Sequence, residues 1–428
     1  MFRSVRSLIN ERTSFVLVNV VVNMAFLLRS YVSMRVLGYQ DLGLAALMQT
    51  IILLISALQF GVINGGYRLL CSETGAAATQ INNLVYTFVG ALTLALFAVG
   101  GISAALFPGD GGVALVTLLG VCAGILTIVR NWMTNQLLAT VMLRRLNLVN
   151  MLSALASLAP LAVVRRAPLP ICLASIVLQP LMFVVCLLVM EPGLRPSGWA
   201  VSAPLFRRIL AAGFVVFLTG IFLTINSQIE RWSIVSCIGV AGLGHYYLAL
   251  LFLNLYNLVP TSLGAVFLPR LVQTHMQQDR AGMQQELRAF FRVTLYYSAA
   301  VMLCVWPLAA PVVALLLPKY LPDLRYVYLL TPGVLIFGLS NPFAIVFNVL
   351  IQYRYYFYAY GLGTVATAGL VGLYILVTGT IDLDTLSIIK CAVYTLMALI
   401  ITAGYLVIAR THPEFRFELF GRKGTAAA

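Results

Sequence analysis

Charge is scarce in this sequence. Of its 428 residues only 9% are charged, just 13 are acidic, and 3 are histidine. A water-soluble domain usually carries about 25% charged residues, because its surface must be hydrated. The shortage excludes an ordinary soluble enzyme. A hydrophobic content of 61% and a mean hydropathy of +0.97 instead describe a surface that faces lipid. The few histidines have no ligand spacing and give no metal site. The cysteines (Cys71, Cys122, Cys172, Cys186, Cys237, Cys304 and Cys391) form no CxxC pair. They lie mostly in apolar runs, where a buried free thiol acts as a small hydrophobe. A cleavable leader is also missing: MFRSVRSLINERTS is polar and basic, and the apolar run behind it is a full span rather than a short h-region.

What is present is a series of apolar runs, each near the roughly 20 residues that a bilayer core requires. They fall near 13–37, 44–70, 81–107, 113–138, 148–164, 170–190, 209–237, 244–269, 290–317, 326–350, 356–378 and 385–409. Breakers separate them, among them Pro108 to Gly112, Pro192-Gly193, and Pro318 to Asp323. The expected fold is an all-α polytopic membrane protein of about twelve transmembrane helices in two six-helix halves. The halves are 1–195 and 209–410, joined by a cytoplasmic linker at 196–208 and followed by a tail at 411–428. No connector is long enough to form a soluble domain.

The net charge of +14 could suggest nucleic acid, but its placement argues otherwise. With the N-terminus inside, the inner segments hold basic clusters from Arg3, Arg6 and Arg12 through Arg207, Arg208, Arg280 and Arg288 to Arg422 and Lys423. The outer segments hold only Arg165, Arg166, Lys319 and Arg325. This positive-inside bias predicts that both termini are cytoplasmic. Arg165 and Arg166 depart from the pattern, next to a short fifth span.

Six basic residues remain inside spans, namely Arg29, Arg35, Arg68, Arg130, Arg231 and Lys390, against one acid, Glu230. A charge at the centre of a membrane helix costs about 2.5–3.5 kcal/mol even on the lenient scale. Arg35, Arg68 and Lys390 lie toward span ends, where a long side chain can snorkel to the headgroups. Arg29, Arg130 and Arg231 do not have that escape. At helical spacing Asn19, Asn23, Ser30 and Ser33 share a stripe with Arg29 at its edge, whereas Arg35 points away. In the seventh span Thr219, Asn226, Glu230 and Ser233 form a stripe, with Thr224, Ser227 and Arg231 beside it. Neighbours in a helix do not face one another, so Glu230 and Arg231 are poor mutual partners. The Ser, Thr and Asn side chains serve equally well as interhelical hydrogen bonds. The three arginines fit a cationic cavity better, with Asn23 and Asn226 beside them, and guanidinium groups pair well with phosphate oxygens.

Two short stretches resemble each other: Leu37 to Leu44 (LGYQDLGL) and Ile238 to His245 (IGVAGLGH). Each has glycines five residues apart with a Leu before the second. In this register Arg29 matches Glu230. Each stretch follows the first span of a half, and repeated halves are a transporter signature.

At this point the sequence resembles bacterial polysaccharide flippases of the Wzx type, in the multidrug/oligosaccharidyl-lipid/polysaccharide exporter superfamily. The likeness is carried by the opening helix pair through Gly61, by Glu230-Arg231 where the family often has an acidic–Arg pair, and by LGHY at Leu243, FLPR at Phe267 and LLPKY at Leu316. The resemblance implies a transporter rather than an enzyme. Its substrate would be an undecaprenyl-pyrophosphate-linked oligosaccharide, flipped across the inner membrane by alternating access among membrane lipids, alongside other polysaccharide-assembly proteins. It implies no cofactor and no nucleic-acid partner. Proton or sodium coupling occurs in the superfamily, and Glu230 is the candidate coupling residue, with pairing to Arg29 or Arg130 as the alternative. A drug/cation antiporter of the same superfamily should carry several membrane acids. A polysaccharide polymerase or ligase should present a large outer loop with catalytic residues. His245, beside Tyr246 and Tyr247, reads as an interfacial residue. Arg270 to Arg292 reads as an amphipathic surface helix against anionic headgroups, and Tyr353 to Tyr358 as an interfacial aromatic belt.

Overall fold

In the computed structural model residues 2–106, 111–140, 142–412 and 415 are described, the side chains of 2–17, 100–106, 261 and 265 excepted. Residues 108–110 of the first breaker, 413–414 and 416–428 of the tail, and the side chains of Arg3, Arg6 and Arg12 lie outside that set. The described chain is helical apart from turns. Its helices are α1 (Phe2–Val36), α2 (Tyr39–Ala57), α3 (Val62–Leu70), α4 (Ala76–Leu106), α5 (Gly111–Ala139), α6 (Leu143–Leu158) and α7 (Pro168–Met190). They continue with α8 (Ala203–Cys237), α9 (Val240–Met276), α10 (Arg280–Leu316), α11 (Leu324–Leu339), α12 (Asn341–Val349), α13 (Arg354–Thr378) and α14 (Leu383–Thr411). Among the described residues 11 helical stretches are long and apolar enough to cross a membrane, and the expected first span falls within α1.

Where the expected spans differ from the helices, the cause is local backbone chemistry that hydropathy does not report. The run 44–70 is not one helix. Phe60 (φ +46°) and Gly61 (φ +81°) take left-handed conformations and end α2 before α3 begins. Likewise 326–350 is divided at Ser340, whose hydroxyl donates to the Phe337 carbonyl at 2.7 Å. The fifth span, short in the sequence, gains length because α6 begins at Leu143 and a 3-10 turn extends it through Val163, 21 residues in all. Arg145 at the start of α6 forms an ion pair with Glu191 just after α7, closing that helix pair.

The chain forms two compact units, Met1–Tyr247 and Leu248–Ala428, which divide within α9. In the first, α8 packs on α3, α2 on α5, and α6 between α1 and α7. The segment after α7 is bound along α4. Asn82 accepts hydrogen bonds from the Trp132 indole (2.9 Å) and from Gln136 (2.5 Å), and donates toward the Leu194 and Arg195 carbonyls. Asn83 holds Ser197, and Thr87 accepts the Ala200 N–H at 3.1 Å. Seven helices, α2, α3, α6, α7, α11, α12 and α13, begin without a side-chain cap bond, so burial carries most of their stability.

In the second unit α14 packs against α11, α12 and α13. Its core is built from rings: Phe267 stacks on Phe290 (4.8 Å), Phe343 on Tyr405 (4.6 Å) and Phe347 on Tyr355 (5.0 Å). Two expectations are corrected here. Arg270 to Arg292 is not a separate surface helix. It is the end of α9 and the start of α10, joined by a turn with Gln278 at φ +55° and capped by Asp279, which accepts the Gly282 N–H at 2.9 Å. Of its apolar residues, Leu271, Met283, Leu287 and Phe290 are buried in the protein core, while Met276 near the turn is exposed. The belt at Tyr353 to Tyr358 is divided. Tyr355 and Tyr356 pack on the core, while Phe357 and Tyr358 stay exposed.

Candidate functional site

The polar interior of the first unit is organised by α7. Cys172, Ser175, Gln179 and Phe183 fall on one stripe at spacings of three and four residues. Arg29 of α1 is buried and reaches this stripe, its Nη1 donating to Gln179 Oε1 at 3.1 Å and toward the Ser175 carbonyl at 3.4 Å. One turn further along α7, Arg130 of α5 lies over the Phe183 ring at 5.1 Å, and its Nη2 donates to Asn150 Oδ1 of α6 at 3.3 Å. Pro180 follows Gln179 directly. It removes one intrahelical donor from α7.

The two side chains reach α7 one turn apart, at Gln179 and at Phe183. Neither forms an ion pair among the described residues. Their partners are amides, a carbonyl and aromatic faces, including the Phe26 ring 5.4 Å from Arg29. Neutral acceptors satisfy the N–H groups but leave the charge uncompensated, which in a low-dielectric interior favours a bound anion.

A second polar chain adjoins Arg29. Gln49 of α2 donates to the Tyr247 hydroxyl (3.4 Å), and Tyr247 donates to Ser30 (3.3 Å). On the next residue of α2, Thr50 receives Arg231 Nη1 at its hydroxyl (3.3 Å) and Gln228 Nε2 at its carbonyl (3.3 Å). Arg231 is thus fixed to α2, whereas Arg29 and Arg130 share α7. Asn226 and Glu230 are buried on α8, each 2% exposed. Asn23 turns back to its own helix, donating to the Asn19 carbonyl at 2.7 Å.

The three cations near span ends separate into two classes. Arg35 is exposed and donates to Tyr31 one turn back (3.1 Å), as a snorkelling side chain would. Arg68 is exposed and donates to the Ala212 carbonyl of α8 at 3.0 Å. Lys390, expected to snorkel, does not. It is 1% exposed within the second unit, with Nζ 5.3 Å from the Tyr394 ring. Its stem leaves α14 on the buried face, which sequence distance from the helix start does not report.

His245 is half-buried, stacked on Tyr39 at 3.7 Å, with Tyr246 and Tyr247 buried beside it. The residues that sequence reasoning passed over are Ser175, Gln179 and Asn150, which receive the two arginines. Their signal was present: polar side chains four residues apart in an otherwise apolar α7, and an amide in the middle of α6.

The fold is shared with known transporters. An inward-facing multidrug resistance MATE family transporter of the MOP superfamily superposes with a TM-score of 0.73, at 13% identity, over 91% of this chain and 95% of that one. The lipid II flippase MurJ in an inward closed conformation gives 0.70, at 12% identity, over 94% and 88%. A MOP superfamily transporter from Pyrococcus furiosus, with a binding pocket of reverse polarity, gives 0.63 at 10% identity, over 94% of both chains. Comparison with curated proteins finds no match. With eleven apolar helices among the described residues, this is a multi-pass membrane protein of the MOP fold. The model of the polysaccharide biosynthesis protein family matches residues 32–321, and the chain belongs to that family.

Proposed function

We propose that this protein is a flippase that carries undecaprenyl-pyrophosphate-linked oligosaccharide units across a bacterial inner membrane by alternating access. The observation that carries this reading is the Arg29–Arg130 pair, two guanidiniums held by neutral partners and reaching one stripe of α7 one turn apart. Planar guanidinium groups match phosphate oxygens in geometry and charge, so a pyrophosphate offsets both charges at once. The lipid tail stays in the bilayer while the headgroup and glycan pass. Membership in a polysaccharide biosynthesis family supports a glycan cargo. A drug/cation antiporter would share the fold, but a pair of arginines repels a cationic drug.

Glu230, buried on α8, is the coupling residue in this reading. Orientation follows the basic clusters, with both termini cytoplasmic. The test is complementation of a strain that lacks its own flippase. The wild-type chain restores surface polysaccharide, while Arg29→Gln and Arg130→Gln leave lipid-linked oligosaccharide on the cytoplasmic leaflet. Full export by both variants at normal protein levels would remove the anion site from the reading.

A further inference from the structure

Helix α8 is fastened to the rest of the first unit at two separated places, each through backbone contacts that only glycine permits. At the first, α3 crosses α8. A Cβ on Gly65 would overlap the Ile209 carbonyl oxygen, and one on Gly213 would overlap that of Gly61. Arg208 pairs with Glu73 (2.8 Å) and Arg68 donates to the Ala212 carbonyl (3.0 Å) at the same crossing.

At the second place the two repeated stretches meet each other. A Cβ on Gly43 would overlap the Val240 carbonyl oxygen, and one on Gly244 would overlap that of Tyr39. In the repeat register Gly43 corresponds to Gly244 and Tyr39 to Val240. The contact is therefore reciprocal, as at a two-fold interface. Leu42 and Leu243, also equivalent, are both fully buried there, and His245 stacks on Tyr39. Midway between the two places Gln228 and Arg231 hold Thr50.

We propose that these are two glycine seals, and that α8 with the first turn of α9 is a gate that opens one seal at a time about the Thr50 contact. Each seal depends on the approach of a Cα to a carbonyl, so an added methyl must push that end apart. Because the seals are separate, the same Gly→Ala change acts in opposite directions at the two ends. The proposal rests on the transporter reading, but its test reads accessibility and not export.

Ser227, half-buried and near the midpoint, is replaced by Cys in the full-length chain. It is labelled with a membrane-impermeant maleimide in vesicles of either orientation, and the modified peptide is identified by mass. The single change Ser227→Cys should label slowly from both faces. Adding Gly43→Ala or Gly244→Ala should speed labelling about tenfold from the face that carries the repeated turns. Adding Gly65→Ala or Gly213→Ala should speed it about tenfold from the opposite face. Faster labelling from one and the same face for both pairs, or no change in any of the four, overturns the proposal. Should the alanine chains fail to accumulate, Tyr39→Ala and Glu73→Gln loosen one seal each without crowding. They should give the same opposite directions at about twofold to fivefold, and equal effects from both faces overturn the proposal as well. Directional labelling in a chain that restores no export would leave the seals standing and remove the proposed cargo.

Discussion

The two compact units bury their cations in different company. In the first, Arg29 and Arg130 are held by directional acceptors on α7 and α6, with hydroxyls and amides continuing through Ser30, Tyr247, Gln49 and Thr50. In the second, Lys390 is buried beside Tyr394, in a unit whose interior is mostly stacked rings. A guanidinium fixed by neutral acceptors keeps its orientation and its charge, as the proposed anion site requires. An ammonium is a compact point charge without that planar fork of donors. The difference teaches that a buried charge inside a membrane protein is not by itself a site. What marks a site is a second charge within reach and acceptors that aim both.

The sharpest way to break this comparison is to neutralise each cation in turn. Arg29→Gln or Arg130→Gln should lower glycan export by about tenfold or more, since each loses a charge-assisted contact to the cargo worth roughly 1.5–3 kcal/mol. Lys390→Met should leave export within about twofold, because Lys390 is no part of the α7 stripe that receives Arg29 and Arg130. Surface polysaccharide measured at matched protein level reads all three. Equal losses would erase the distinction between the units. Next in size is Glu230, which lies in the repeat position of Arg29. Glu230→Gln should cost about fivefold in export and make the remainder insensitive to collapse of the proton gradient. Export that still falls on collapse would assign the coupling elsewhere.

Much of this was legible in the sequence, for reasons that follow from the bilayer. A helix that crosses it must be apolar over a fixed length, so hydropathy located the spans, and the rarity of intramembrane charge drew attention to Arg29, Arg130, Arg231 and Glu230. The repeated glycine turns were visible as a pattern, and their reciprocal contact explains why glycine recurs. The unread parts depend on geometry that composition does not encode. Phe60 and Gly61 break a run that is apolar throughout. Lys390 and Arg35 are both near helix ends, yet only the direction of the side chain separates a buried ammonium from an exposed guanidinium. Hairpin residues such as Leu271 and Phe290 have the amphipathic pattern of a surface helix, and only tertiary packing decides that their apolar face meets protein. Gln179 and Asn150 were unmarked because a neutral amide carries no charge to count.

A smaller effect probes the ring-built interior of the second unit. The Tyr405 hydroxyl donates to the Phe415 carbonyl at 2.5 Å, and the Phe415 ring lies near His275 and His412. Tyr405→Phe keeps the stacking on Phe343 and deletes only the hydrogen bond. Thermal stability in detergent should drop by about 1 kcal/mol. Loss of several times that amount would mean that the hydroxyl, and not ring packing, holds this region.

The smallest effect separates the units by pH. In the second unit α14 is capped by Asp382, which accepts the Thr385 N–H at 2.8 Å, while in the first α8 is capped by the neutral Ser202, accepting from Leu205 N at 3.4 Å. Hydrogen bonding from the Thr385 side chain, then from its backbone, holds the Asp382 carboxyl below its ordinary range, and Arg325 acts in the same direction. A carboxylate depressed in the folded state contributes its full stability above its unfolded value, about 3.9, and loses it as pH falls through the folded value. Between about pH 6 and about pH 3, amide exchange in the first turn of α14 should therefore quicken relative to that of α8, by no more than about fivefold for a cap worth roughly 1 kcal/mol. Asp382→Asn keeps an acceptor at the cap but cannot titrate, so the difference between the two helices should become independent of pH. If the wild-type and Asn chains respond alike to acid, the cap charge is not what distinguishes them, and the contrast between the units reduces to their buried cations.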